Sequence, residues 1–265
     1  MVVERAAVKH AYSPPYWWRL IFTAISFTLF GLGGLFLRLV CFPLISLYYS
    51  DILKRRHSAR ALISRSFRFF VNFMRVTGVL TYHIEGVERL GRPGQMVIAN
   101  HPSLIDVVVL IAFMRDTNCV VKESLWHNPF MRGPIRAAGY ISNSASMEMF
   151  DECVAALNEG QTLIIFPEGT RTTPGQFPQF HRAAAAIALR GAKILTPVVI
   201  CVRPTTLTKA EPWYKIPARR FHFSLVVGDD IDLHSFKENS PLPIASRKLD
   251  AHLHSYYEQE LTHHE

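Results

Sequence analysis

The sequence has little of what staples or metallates a domain. Its four cysteines, Cys41, Cys119, Cys153 and Cys201, are widely separated and fall inside apolar runs. No metal-ligand spacing joins them, and a chain of 265 residues needs no disulfides to hold a core. They read as buried thiols in a reducing compartment. Internal repeats and low-complexity tracts are also missing, as is any fingerprint of the common nucleic-acid-binding modules. There is no Gly-x-Ser-x-Gly elbow, which counts against a serine hydrolase built on Ser103. Acidic residues are outnumbered, 21 against 29 Lys and Arg, for a formal charge of +8. Such an excess calls for anionic partners, and without a nucleic-acid fingerprint these are a membrane surface or a phosphorylated substrate.

What the chain does have begins near its amino terminus. Leu20 to Leu37, "LIFTAISFTLFGLGGLFL", carries no charge, and as a helix would measure about 27 Å. Tyr16, Trp17 and Trp18 precede it and are of the type enriched at membrane interfaces. No small-residue cleavage site is clear, and the apolar region is too long for a signal peptide. Residues 1–50 are therefore expected to form a membrane-anchoring helical segment. Either one helix spans, or Gly31 to Gly34 splits the stretch into two helices that dip in and return. Next, Lys54, Arg55, Arg56, Arg60, Arg65, Arg68 and Arg75 alternate with apolar residues such as Leu62, Ile63, Phe67 and Phe70. Residues 51–78 read as a basic amphipathic helix lying on anionic headgroups. The charge bias places the domain that follows on the cytoplasmic side.

Residues 79–265 alternate short β-type runs with helical ones. Strands are predicted at 79–84, 96–99, 119–121, 162–166, 194–202 and 221–227, and helices at 104–113, 147–158, 182–190 and 243–260. The stretch 203–220, with Pro204, Pro212 and Pro217, reads as a loop. Such alternation predicts an α/β domain, a central mixed sheet flanked by helices, behind the membrane-embedded segment.

Two stretches carry chemistry. In "VIANHPSLIDVVVL", residues 97–110, His101 and Asp106 interrupt an apolar run. On one continuous helix their side chains would stand about 140° apart, at ~100° per residue. With His101 in a turn after a strand and Ser103 as a helix cap, Asp106 in the first helical turn reaches back. A carboxylate on one imidazole nitrogen fixes the tautomer and frees the other to take a proton. That describes a general base; the competing description is a structural His–Asp capping pair. In "TLIIFPEGTRTTPGQF", residues 162–177, a buried strand runs into Glu168, Gly169, Thr170 and Arg171. Gly169 lets backbone amides approach an anion, Thr170 adds a hydroxyl and Arg171 offers a fork that matches phosphate. Glu168 would repel phosphate, so it is expected to orient Arg171 or a neighbouring amide. An exposed turn with a salt bridge is the plainer reading of the same residues.

"NHPSLID" followed by "FPEGTR" resembles the lysophosphatidate and glycerolipid acyltransferases, over roughly residues 80 to 205. These membrane enzymes acylate a lysolipid hydroxyl from acyl-CoA or acyl-carrier protein. The resemblance implies that His101 is the catalytic base, that Asp106 is its partner, and that Gly169, Thr170 and Arg171 help hold the acceptor. "VVKESLWHNPFMRGPIRAAGYI" resembles the intervening block, with Lys122 at a matching place, and "ILTPVVI" the last. Backbone amides or Lys122 are left to stabilise the oxyanion. No metal and no cofactor beyond the acyl donor is implied.

Two departures put the acceptor in doubt. Ser142 and Asn143 stand where relatives acting on glycerol phosphates usually carry arginine. His181, Arg182 and Ala183 replace the usual Lys-x-Gly. The expected acceptor is lysophosphatidate (1-acyl-glycerol-3-phosphate), with a phosphate-free lysolipid such as a lyso-aminolipid, or non-catalytic lipid binding, as alternatives.

Overall fold

The computed structural model describes residues 13–144, 146–238 and 240–263, so residues 1–12 of the expected anchor lie outside the described residues. Helix α1 (Tyr16–Phe36) runs on through a π turn (Leu37–Cys41) into α2 (Phe42–Tyr48). Pro43 lacks an N–H and its ring crowds the preceding turn; the widened turn falls immediately before it. The glycines do not break the helix, contrary to the second sequence reading. They let it approach its neighbour instead: a Cβ on Gly34 would stand 2.7 Å from the Phe130 carbonyl oxygen. Gly34→Val should therefore destabilise the fold by about 1–3 kcal/mol, the usual cost of overpacking, measured as a drop in denaturation midpoint.

The reversal comes at Tyr49–Asp51. Asp51 caps α3 (Ile52–Val76), accepting the Leu53 amide at 2.7 Å. Helix α3 then returns along α1, with the Phe22 and Phe73 rings 6.3 Å apart and the Phe30 and Phe70 rings 5.1 Å apart. From the sequence this stretch reads as a basic amphipathic helix lying on anionic headgroups; in the structure one face of α3 packs into the domain. Ala59, Ile63, Phe70, Val71 and Met74 are buried in the main core. Arg60 is buried and donates to the Ala138 carbonyl at 2.8 Å, while Arg68 donates to that of Ala112 at 2.9 Å. Both carbonyls belong to helix carboxyl ends, where unsatisfied acceptors and the helix dipole favour a cation. Lys54, Arg65 and Arg75 stay exposed.

The sheet contains β1 (Leu80–Glu85), β2 (Gln95–Ala99), β3 (Asn118–Lys122), β4 (Ile141–Asn143), β5 (Leu163–Ile165), β6 (Ile194–Arg203) and β7 (Phe221–Val227). Their order is β1-β7-β6-β2-β5-β3-β4, parallel except for the antiparallel β6–β7 pair. The sheet is thus mixed, as expected. Alternation along β2 sorts the core: Val97 and Ala99 face the cluster under α3 and α4 (Asp106–Phe113), and Met96 and Ile98 face the other. A helix α5 (Arg132–Ala138) joins the first layer; α6 (Met147–Asn158), α7 (Arg182–Gly191), α8 (Leu233–Lys237) and α9 (Leu242–His263) cover the second face. Helices α5 and α8 and strand β4 go beyond the sequence reading. Because β2, β5, β3 and β4 are parallel, their carboxyl ends share one edge, where open α/β sheets bind ligands.

Candidate active site

At that edge β2 gives way to a turn pinned from below. Asn100 is buried and exchanges two hydrogen bonds with Ile200 of β6, 2.8 Å from its amide to the Ile200 carbonyl and 2.7 Å from the Ile200 amide to its oxygen. His101 follows, outside the helix, and Asp106 opens α4. Their contact is direct: His101 Nδ1 lies 2.8 Å from Asp106 Oδ2. The same oxygen accepts the Ser103 amide at 2.7 Å, so Asp106 holds both the ring and the turn. Ser103 is not the helix cap that the sequence suggests; its hydroxyl donates to the Thr206 carbonyl at 3.1 Å. Asp106 is 0% exposed, and its Oδ1 has no partner among the described residues. Burial pushes its carboxyl above the ordinary range, opposed by the His101 and Ser103 contacts. With Nδ1 engaged, Nε2 is the nitrogen left to take a proton. The imidazole is 18% exposed and lies over the Phe166 ring, 4.4 Å between centroids.

The second stretch clasps the first. Glu168 Oε1 accepts the His101 amide at 2.7 Å, and its other oxygen accepts the Thr172 hydroxyl. The Thr172 amide returns a 2.8 Å bond to the His101 carbonyl. Of the two expected roles for Glu168, it therefore takes the neighbouring amide and not Arg171. Burial raises the Glu168 carboxyl, against the pull of the Thr172 hydroxyl and the His101 amide.

Gly169 adopts φ +64°, and a Cβ there would lie 3.6 Å from His181 Nε2 and 3.7 Å from Asn143 Nδ2. The two departures from the family pattern thus flank the same glycine. Thr170 beside it is exposed. Arg171 is partly committed: its Nη1 donates to the carbonyls of Leu207 and Thr208, 2.8 Å each. Among the described residues the Nε–Nη2 edge carries no hydrogen bond, and that edge can still fork a phosphate. Lys122 is exposed at the end of β3, paired in register with Asn143. One strand, β5, lies between β3 and β2, so two inter-strand spacings, about 10 Å, separate Lys122 from β2. It shares the edge without touching His101. Sequence reasoning missed Asn100, Phe166, Thr172 and the 206–208 carbonyls as parts of the site. Asn100 was legible only as a turn residue. Among the described residues no three His, Cys, Asp or Glu side chains gather as a metal would need.

A family model described as Acyltransferase matches residues 81–201, the segment that holds the clasped turns and the sheet edge beneath them. Over that segment the chain is similar to the acyltransferases that act on glycerolipids. It is 26% identical over 163 residues to a Pseudomonas aeruginosa 1-acyl-sn-glycerol-3-phosphate acyltransferase, covering 58% of this chain and 62% of that one. To the Saccharomyces cerevisiae enzyme of the same name it is 24% identical over 214 residues, covering 76% and 64%. These matches span less than two thirds of the relatives' own length. The crystal structure of the 1-acyl-sn-glycerophosphate (LPA) acyltransferase PlsC from Thermotoga maritima superposes with a TM-score of 0.67 at 20% identity, covering 93% of this chain and 94% of that one. At that identity the likeness establishes the fold.

Proposed function

We propose that this protein transfers a fatty acyl group from a thioester, acyl-CoA or acyl-carrier protein, to the free hydroxyl of a membrane lysophospholipid in phospholipid synthesis. The observation that carries this reading is the His101–Asp106 pair, braced by Glu168 through the His101 amide. Nε2 takes the proton of the acceptor hydroxyl as its oxygen bonds to the thioester carbonyl carbon. Asp106 supports the resulting imidazolium. The tetrahedral intermediate collapses, the C–S bond breaks, and the imidazolium proton goes to the departing thiolate. Backbone amides or the Lys122 side chain, on the same sheet edge, would stabilise the transient oxyanion.

Helix α1 supports a membrane setting. Its buried positions include Arg19, Thr23 and Ser26, whereas Ile21, Ile25, Leu29, Leu32 and Phe36 are exposed. A water-facing helix shows the opposite arrangement. Residues 16–48 form one helix long and apolar enough to cross a bilayer. The helix also touches the domain along its length, through Arg19, Phe27 and Arg38, and this favours lying in one leaflet of the cytoplasmic side over crossing. An apolar groove of about 590 Å³ between α1 and α3, lined by residues such as Phe30, Phe36, Phe67 and Met131, gives an acyl chain room beside these helices.

The acceptor we favour is 1-acyl-glycerol-3-phosphate, its phosphate held by the free edge of Arg171 and the Gly169–Thr170 backbone. A phosphate-free lysolipid is the second reading, favoured by Asn143 and His181 beside Gly169. Competition between the two acceptors in mixed vesicles decides the matter. A kcat/KM at least ten-fold higher for lysophosphatidate is expected, since one bond to a charged group contributes about 1.5–3 kcal/mol. Preference for the phosphate-free acceptor would overturn the assignment.

A further inference from the structure

Residues 204–220, between β6 and β7, tie the active site to α1. Near their start, three carbonyls hold catalytic-edge groups: Thr206 accepts the Ser103 hydroxyl at 3.1 Å, Leu207 accepts the Leu104 amide at 3.0 Å, and both Leu207 and Thr208 accept Arg171 Nη1 at 2.8 Å. Leu207 sits at φ +55°, a left-handed conformation that a branched side chain keeps only when its surroundings enforce it. Here its buried side chain and its doubly engaged carbonyl enforce it.

The far end is held by the membrane-facing helix. Arg19, 2% exposed, donates to the Pro217 carbonyl at 2.9 Å and the Ala218 carbonyl at 2.6 Å. The Trp213 ring lies 5.9 Å from Phe27 of α1. Between the two anchorages, Trp213 is 42% and Tyr214 58% exposed, edge to face with centroids 5.7 Å apart. Lys209, Lys215 and Arg219 are exposed around them, and the nearby acid, Glu211, is 3.7 Å from Lys215.

We propose that this strap is a second membrane contact, seated on an anionic bilayer surface, and that its seating holds Arg171 in the position that captures the acceptor. The inference rests on the reading of α1 as membrane-facing. Trp and Tyr favour the headgroup layer, where an apolar ring and a polar tip are both satisfied, and the surrounding cations favour anionic lipid. The Trp213–Phe27 contact ties this surface to α1 on its domain-facing side. A bilayer that binds the seated strap better than the free one must, by linkage, also favour the Arg171 position that the strap enforces. Membrane binding and acceptor binding then strengthen each other.

The test uses the full chain and vesicles of phosphatidylcholine with or without phosphatidylglycerol. For the wild type, adding substrate-free phosphatidylglycerol vesicles should lower KM for a short-chain, water-soluble lysophosphatidate by about ten-fold, within the usual range of such couplings. The W213A/Y214A variant should lose this activation and most of the vesicle binding that the strap adds, while its kcat and far-ultraviolet spectrum stay unchanged. K209E/K215E, which leaves the aromatic pair in place, should lose activation only where phosphatidylglycerol is required. Equal binding and equal activation in wild type and both variants would overturn the strap proposal while leaving the membrane reading of α1 intact; the aromatic pair would then face something other than lipid. Failure of the wild type to bind either vesicle would overturn both.

Discussion

His101→Ala should lower kcat/KM for acyl transfer by about 10²- to 10⁴-fold, the range a positioned general base contributes. The loss should appear mainly in kcat, because in the proposed mechanism the imidazole acts on the proton in flight and is not part of the acceptor-binding group. The turn around His101 is fixed by its backbone and neighbours: its amide is bound to Glu168, its carbonyl accepts from Thr172, and Asn100 is bound to Ile200. Removing the ring leaves all of these in place, so the fold and vesicle binding should hold, while the buried Asp106 loses its Nδ1 partner and the denaturation midpoint drops modestly. A folded His101→Ala protein with turnover within ten-fold of wild type would contradict the base assignment.

Asp106→Asn should cost about 10²-fold or more in kcat, because an amide cannot support an imidazolium and can present the wrong group to Nδ1. Its stability should move the other way. Burial raises the Asp106 carboxyl above its unfolded value, so the ionised group costs the fold free energy at neutral pH. A group with a raised pKa contributes stability that is fully present below its unfolded pKa and is lost as pH rises through the folded one. At neutral pH the amide removes the cost of a buried charge while keeping an oxygen for the Ser103 amide. The variant is therefore expected to melt no lower than wild type at neutral pH, with its advantage shrinking as pH falls into the carboxylate range. Paired melts across that range measure it; a variant that is less stable at neutral pH, with a deficit that shrinks toward low pH, would reverse the sign. Activity and stability are opposed at this residue.

The sequence made most of this site legible because its parts are local. His101 and Asp106 are close in the chain, and the turn-then-helix pattern around them is enough to bring them together. Strand β7 and helix α6 were likewise visible, since period-two burial in Phe221–Val227 and helical spacing in Met147–Asn158 are properties of contiguous residues. The features that escaped depend on distant backbone. The partners of Arg171 are carbonyls on a loop without periodicity, and Arg60 is buried, and the exposed Arg68 tethered, because α5 and α4 end beside them. Strand β4 has three residues, too few to show alternation, and it exists because β3 offers an open edge. The glycines of α1 could be read as a break or as a contact, and only the proximity of Phe130 to Gly34 distinguishes the two.

The most direct test of the central claim is mass spectrometry, with parallel thiol titration, of the products from the purified full chain given lysophosphatidate in vesicles and either acyl-CoA or acyl-carrier protein. Acyl transfer through His101 predicts a diacyl product and free thiol in equal amounts with at least one donor, both lost together in His101→Ala. Thiol release accompanied only by free fatty acid, or diacyl product that persists undiminished in His101→Ala, would contradict it.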